Sequence, residues 1–215
     1  MPPTKRWHFF WTKHLTFNIY IRPYTIGQIM TDRELLDLYH SGSPEKAFNV
    51  LIKTYQQRVY YHIRRMVQDH DDANDVMQNT FMKVWRGLEN YRADAQLFTW
   101  IYRIATNETI TFINSRNKRA VISFDGNDSD EENSYAPSAY IKGESHQLDG
   151  EKLQARLQAA IDSLPEKQKL VFNLRYYDEM PYEQMSEVLG TSEGALKASY
   201  HHAAQKIEKF LLSED

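Results

Sequence analysis

Cysteine is absent from the chain, which excludes disulfide staples and thiolate metal sites and fits a reducing, cytoplasmic setting. No apolar run approaches the roughly 18 residues that a membrane-spanning helix requires. Positive charge is also short: 26 Lys and Arg stand against 29 Asp and Glu, a net charge of −3. No global basic field announces a nucleic-acid partner, which argues against a stand-alone DNA binder but not against one subunit of a larger machine. Internal repeats, a phosphate-cradling glycine loop, a nucleophile–base pair and metal-ligand spacing are all missing, so no enzyme and no cofactor is expected. What remains is ordinary for a soluble protein. The 215 residues are 41% hydrophobic and 26% charged, enough for one large domain or two small ones.

The first 29 residues, MPPTKRWHFFWTKHLTFNIYIRPYTIGQI, carry Lys5, Arg6, Lys13 and Arg22, many aromatics and no acid. Lys13, His14 and Asn18 interrupt every candidate for a secretory signal. A basic aromatic arm suits nucleic acid or a membrane surface. The plainer reading is a start placed too early, since Met30 opens the first segment with ordered character.

From Thr31 to about Arg119 the pattern is helical with few breakers. Asp32 is placed to cap a helix bearing Leu35, Leu36 and Tyr39, which Gly42-Ser43-Pro44 ends. Pro44 then suits the first turn of a second helix with Phe48, Leu51, Ile52, Tyr55, Val59, Ile63 and Val67 on one stripe. A third begins near HDDAND and ends around Gly87, its core stripe Met77, Phe81, Val84 and Leu88. Asp75, Gln78, Asn79, Met82 and Arg86 look outward from it. His70, Asp71, Asp72 and Asp75 allow a hard-metal reading. Acids offsetting the macrodipole at a helix start are the commoner cause. A fourth helix runs from Ala95 toward Arg119; its β-branched middle, TNETITF, would pass for a strand, but the spacing of Leu97, Ile101, Ala105 and Phe112 keeps it helical. Opposite that stripe lie Trp100, Arg103, Asn107, Asn114 and Lys118, with Arg116 and Arg119 nearby. Aromatic, amide and cation on one side suit a nucleic-acid strand, bases stacking on the ring and cations meeting phosphates. An exposed helix with a half-buried Trp accounts for the same residues.

Ser123 to Gly150 is acidic, rich in Ser, Asn, Asp and Gly, and without period, which reads as a flexible linker. Beyond it the helical pattern resumes. The expected architecture is all-α: two small helical domains, residues 30–119 and 151–215, joined by an acidic linker at 120–150. In the second, Leu164-Pro165 starts a helix with Leu170, Val171 and Leu174 inward. Pro181 opens another, and Gly190 makes a turn for which left-handed backbone costs glycine little. Thr191 or Ser192 caps a last helix with Leu196, Tyr200, Ala203, Ile207 and Phe210 buried. This is a helix-turn-helix grammar, whose final helix enters a major groove. Its outer face carries Ser192, Glu193, Gly194, Lys197, Ala198, His201, His202 and Gln205, with little charge. A plain helical hairpin has the same outline. The adjacent histidines point about 100° apart and would hold one ion poorly.

DDANDVMQNTFMKVWRGLENYR, LFTWIYRIATNE, LPEKQKLVFNLRYYDEMPYEQMSEVLG and TSEGALKASYHHA follow one another in this chain. Together they resemble bacterial RNA polymerase sigma factors of the extracytoplasmic-function (ECF) type, over about Thr31 to Leu212. The resemblance implies a transcription initiation factor with two helical domains, regions 2 and 4. It implies that Asp75 and Gln78, with Asn79 and Met82 beside them, dock on the clamp helices of the polymerase β′ subunit. Trp100, Arg103, Asn107, Asn114, Arg116, Lys118 and Arg119, with the loop ENYRADAQ, would melt the −10 promoter element and hold a flipped base. Region 4 would read the −35 element through Ser192, Glu193, Lys197, Ala198, His201 and His202, and dock on the β flap. An anti-sigma factor, often membrane-bound in this family, is implied as the controlling partner. The sequence departs from the family at Thr111 and Asn114, where Asp and Arg are frequent, and at Ser199 and Ala204, where basic residues are. Those departures bear on which promoter is read. A stand-alone helix-turn-helix regulator and a metal-dependent hydrolase built on His70, Asp71, Asp72 and Asp75 are the rival readings.

Overall fold

The computed structural model describes residues 30–93, 95–124 and 146–212. The basic arm before Met30 and the flexible character expected of the linker lie outside them. Among the described residues there are eight helices and no strand: α1 (Asp32–His40), α2 (Pro44–Val67), α3 (His70–Leu88), α4 (Leu97–Phe124), α5 (His146–Asp162), α6 (Glu166–Tyr176), α7 (Tyr182–Leu189) and α8 (Glu193–Leu212). The TNETITF segment is helical: the stripe of buried Leu97, Ile101 and Ala105 and half-buried Phe112 runs through it, and Thr109 Oγ1 donates to the Ala105 carbonyl at 2.7 Å. Helix α4 continues past Arg119 to Phe124, and α5 begins at His146.

The first helix start corrects the sequence reading. Thr31, not Asp32, is the N-cap, in a reciprocal box with Glu34. The Thr31 N–H donates to Glu34 at 2.7 Å and holds that carboxyl below its ordinary range. Asp32 is thereby free for a tertiary role. One of its oxygens accepts the backbone N–H of Leu97, the first residue of α4, at 2.9 Å, and the other accepts the Tyr55 hydroxyl at 3.3 Å. Burial, with the Asp32 carboxylate second, pushes the Tyr55 phenol up to about 12. Asp32→Ala should lower stability by about 1–2 kcal/mol, as loss of a helix cap does. A fall in the urea midpoint at unchanged slope would show it; an unchanged midpoint would deny the tether any weight.

Helix α2 is the spine of the first domain. Phe48, Leu51, Val59, Ile63 and Val67 are buried on it as the stripe requires, while Ile52 and Tyr55 lie half-buried. Gln68 ends it in left-handed backbone (φ 65°), and Asp69 at once caps α3 by accepting the N–H groups of Asp71 and Asp72 at 2.9 Å each. Those N–H groups hold the Asp69 carboxyl below its usual range.

In the second domain Gly190 (φ 61°) makes the turn between α7 and α8, and Ser192 is the cap, accepting the Ala195 N–H at 3.4 Å. The buried stripe of α8 stops one turn earlier than expected. Leu196, Ala203 and Ile207 are inside, Tyr200 is half-buried, and Phe210 lies at the rim, 38% exposed. Phe172 stacks on Tyr176 and Tyr200, with ring centroids 5.1 and 5.6 Å away.

The two domains do not stand apart. Helix α6 packs on α2 and α7 on α4. Leu170, Val171, Leu174, Met180, Met185, Val188 and Leu196 join the same hydrophobic core as α1–α4. A smaller core of Ala160, Ile161, Leu164, Phe172, Ala203 and Ile207 lies within the second domain.

Candidate functional site

Three exposed faces collect the residues singled out from the sequence. The first is on α3. Asp75, Asn79 and Met82 are exposed and Gln78 half-buried, at spacings of three, one and three that share one side of the helix. Met77, Thr80, Phe81 and Val84 are buried on the other side. The Asp75, Gln78 and Asn79 side chains make no hydrogen bond or ion pair with another described residue. Met82, 38% exposed, adds an adaptable apolar surface. Carboxylate, amides and a thioether make a face suited to protein rather than to phosphate. Of the residues suggested for a metal, two have other partners: His70 hydrogen-bonds the Tyr60 hydroxyl at 2.7 Å and Asn74 at 3.1 Å, while Asp72 faces Arg116.

The second face runs along α4. Arg103, Asn107, Asn114, Lys118 and Arg119 are exposed, with Ile110 and Thr111 between them. Trp100 heads this row and is half-buried. Its six-membered ring lies over Gly87, where an added Cβ would stand 2.9 Å from it, and its ring centroid is 5.0 Å from that of Tyr91. Gly87 therefore sets how deep the indole sits. Arg116 also has partners within the fold. Its guanidinium donates to the Val67 carbonyl at 3.3 Å and lies 3.7 Å from Asp72, so it ties α4 to the α2–α3 corner.

Before α4, the Tyr91 hydroxyl closes the loop on the Ala95 carbonyl, and Ala93 takes left-handed backbone (φ 58°). A groove of about 630 Å³ opens beside that loop, lined on one side by Arg33, Tyr91, Gln96 and Thr99, and on the other by Glu183, Gln184 and Glu187 of α7. Thr99 is buried, and its hydroxyl has no hydrogen-bond partner among the described residues.

The third face is the start of α8. Ser192, Glu193, Gly194, Ala195, Lys197, Ala198, His201, His202 and Gln205 are exposed. A Cβ added at Gly194 would meet nothing within 4 Å, so the fold itself does not demand glycine there. Lys197 is paired with Glu193 at 2.9 Å and lies 5.5 Å over the Tyr182 ring. Ser192 is partly committed to its cap. Around the far end of α8, Leu157, Phe172, Tyr176, Tyr200, Ile207, Leu211 and Leu212 line an apolar groove of about 410 Å³.

Sequence reasoning missed a polar cluster between the domains. His62 is fully buried on α2, with one ring nitrogen 3.0 Å from Thr106 Oγ1 and the other 3.2 Å from Asp178. Arg65 donates to Asp178 at 2.9 Å. The signal was a histidine set among the apolar positions of α2, but nothing in the pattern named its partner.

The Sigma-70 region 2 family model matches residues 51–119, and the Sigma-70 region 4 model matches residues 154–207. The chain is similar to the ECF RNA polymerase sigma-E factor of Escherichia coli (strain K12), 28% identical over 184 residues, which cover 85% of this chain and 95% of that protein. It is also similar to the RNA polymerase sigma-H factor of Pseudomonas aeruginosa, 29% identical over 182 residues, 84% of this chain and 93% of that one. In fold it resembles CnrH, solved in complex with the cytosolic domain of CnrY, with a TM-score of 0.59, 20% identity, and coverage of 86% of this chain and 99% of that. The sigma factor RpoE of Bartonella quintana, solved with the anti-sigma factor NepR, gives a TM-score of 0.59 at 20% identity, covering 79% and 99%.

Proposed function

Since the chain belongs to the sigma-70 family, in its ECF branch, and is a promoter-directing sigma factor, we propose that its three exposed faces divide the work of initiation. Asp75, Gln78, Asn79 and Met82 on α3 bind the β′ clamp helices of core RNA polymerase. Trp100, Arg103, Asn107, Asn114, Lys118 and Arg119, with the loop before α4, open and hold the −10 element, and Arg116 supports them by fixing the helix rather than by touching DNA. Residues 30–119 act as region 2, 120–150 as the linker and 151–215 as region 4. The apolar groove at the far end of α8 takes the β flap. The observation that carries this reading is the pairing of the two matched regions, in order, with an outward amide-and-cation row on α4 and an uncovered helix start on α8. The protein has no catalysis of its own, needs no cofactor and works in the cytoplasm, where its polymerase is. An anti-sigma factor is its controlling partner; one of the proteins it resembles in fold was solved with one. The stand-alone regulator is not favoured, because it would need neither the polymerase face nor region 2.

Core polymerase mixed with this protein should yield discrete start sites on a genomic library that core alone does not. Random initiation, or none across the library, would sink the assignment.

The −35 contact rests on hydrogen bonds and shape more than on charge. The free N–H groups at the α8 start favour a phosphate. Gly194 and Ala198 let the backbone approach the groove, and a neutral histidine offers base-edge bonds without counterion release. Lys197 must leave Glu193 to reach a phosphate. Lys197→Ala should then lower the salt slope of holoenzyme binding by about one unit, while His201→Ala relaxes preference at one or two bases. Anisotropy on systematically mutated −35 elements at several salt concentrations reads both. Uniform weakening by His201→Ala would remove it from the base contacts.

A further inference from the structure

The loop before α4 carries a strain that its surroundings must hold. Ala93 stands in left-handed backbone (φ 58°), which is costly for a residue with a Cβ and persists only where neighbouring structure over-determines it. At its near end the loop is tied to the last turn of α3. There the Asn90 and Tyr91 N–H groups donate to the Gly87 and Leu88 carbonyls at 3.0 and 3.3 Å. Tyr91 then spans the loop, its hydroxyl donating to the Ala95 carbonyl. The far end is Leu97, where α4 begins.

Helix α4 brings no good cap of its own. Gln96 precedes it, glutamine is not among the preferred capping residues, and its side-chain oxygen accepts from Gln184 at 3.2 Å. The Leu97 N–H is one of the donors that a helix start leaves without an intrahelical partner. Asp32 supplies the acceptor from another helix, one carboxylate oxygen taking that N–H at 2.9 Å. The capping box of α1 permits this, because Thr31 and Glu34 serve that helix start without Asp32. The second oxygen accepts the Tyr55 hydroxyl at 3.3 Å, so α2 fixes the direction of the carboxylate. Beside Leu97, the Phe98 ring lies 6.3 Å from that of Tyr55 and 4.5 Å from the Arg58 guanidinium. Helices α1 and α2 thus converge on the first two residues of α4, about one turn before Trp100.

We propose that Asp32 is a positioning residue for promoter opening: by capping α4 from the start of α1, it fixes the far end of the loop and sets the height at which the loop and Trp100 receive a flipped −10 base. The inference rests on the promoter-directing reading given above. Asp32 acts through Leu97 and need not touch DNA. Without its carboxylate the Leu97 N–H turns to water, the first turn of α4 frays and the strain at Ala93 relaxes. A displacement of about 1 Å in a positioned group can cost a process about a hundredfold, so a local fraying here weighs more on opening than on folding.

With the full chain, core polymerase and a promoter taken from its run-off start sites, Asp32→Ala should lower permanganate reactivity of the −10 thymines about tenfold while core affinity is unchanged. Asp32→Asn keeps an oxygen for the Leu97 N–H and should restore most of the reactivity. Ile63→Val separates positioning from stability. It trims the buried core about two turns along α2 from Tyr55, at a cost that overlaps that of a lost cap, and should open the promoter as wild type does. In the free proteins, amide hydrogen exchange at Leu97 should quicken in Asp32→Ala and stay slow in Asp32→Asn. Wild-type opening by Asp32→Ala, an equal loss in Ile63→Val, or an Asp32→Asn protein that behaves like Asp32→Ala overturns the role given to Asp32. If the wild-type protein opens no promoter with core, the promoter-directing reading fails instead, and exchange at Leu97 still decides whether Asp32 fixes this junction.

Discussion

Asp75→Lys is expected to weaken binding to core polymerase by about a hundredfold while leaving thermal stability almost unchanged. Reversing a charge at a contact removes the attraction and adds a repulsion, together worth several kcal/mol, and about 2.7 kcal/mol is a hundredfold. The fold has little at stake. Asp75 is exposed and turned away from Met77, Phe81 and Val84, and exposed substitutions usually change stability by less than about 0.5 kcal/mol. A helix-start role is excluded by position, because the macrodipole acts within the first turn. That turn is already served by Asp69, Asp71 and Asp72. Titration of labelled core, beside a thermal melt, reads both quantities. A variant that melts many degrees lower would make Asp75 a stabiliser of α3. Wild-type affinity would take the docking face elsewhere.

Trp100→Ala is expected to spare core binding and reduce open-complex formation on the order of ten- to a hundredfold. Stacking of a base on an aromatic is worth roughly 1–3 kcal/mol, and each 1.4 kcal/mol is tenfold. The indole also packs over Gly87 and beside Tyr91, so truncation costs some stability. A second variant separates the effects. Gly87→Ala keeps the ring but sets a methyl 2.9 Å from it, so the indole must shift outward. If Trp100 receives a base, both variants lower permanganate reactivity of the −10 thymines, and only Trp100→Ala lowers it fully. Unchanged reactivity in both would leave Trp100 as packing alone.

Most of the helical architecture was legible because its causes are local. The apolar spacing of Phe48, Leu51, Val59, Ile63 and Val67 makes α2 whatever surrounds it, and Gly190 makes its turn by its own backbone freedom. The outward side of α3 could be read by subtracting the stripe. Where the reading slipped, a residue had two local uses. Asp32 and Thr31 both cap helices well, and the capping box with Glu34 decided for Thr31. Phe210 continues the spacing of α8 but lies at the rim of its core.

By itself, then, the sequence determined an all-α chain of two domains, the order of their motifs and the family, since periodicity, capping and motif spacing act over a few residues. Only the tertiary structure decided which polar residues serve the inside. Asp32 finds Leu97 across 65 residues, and Asp178 finds His62 across 116 and Arg65 across 113. Such pairs leave no period in the chain, because each is chosen by where two helices happen to cross. The same crossing closes region 4 over region 2. A pattern read along one helix says which side is apolar, but the partner that covers that side is fixed only when both are packed.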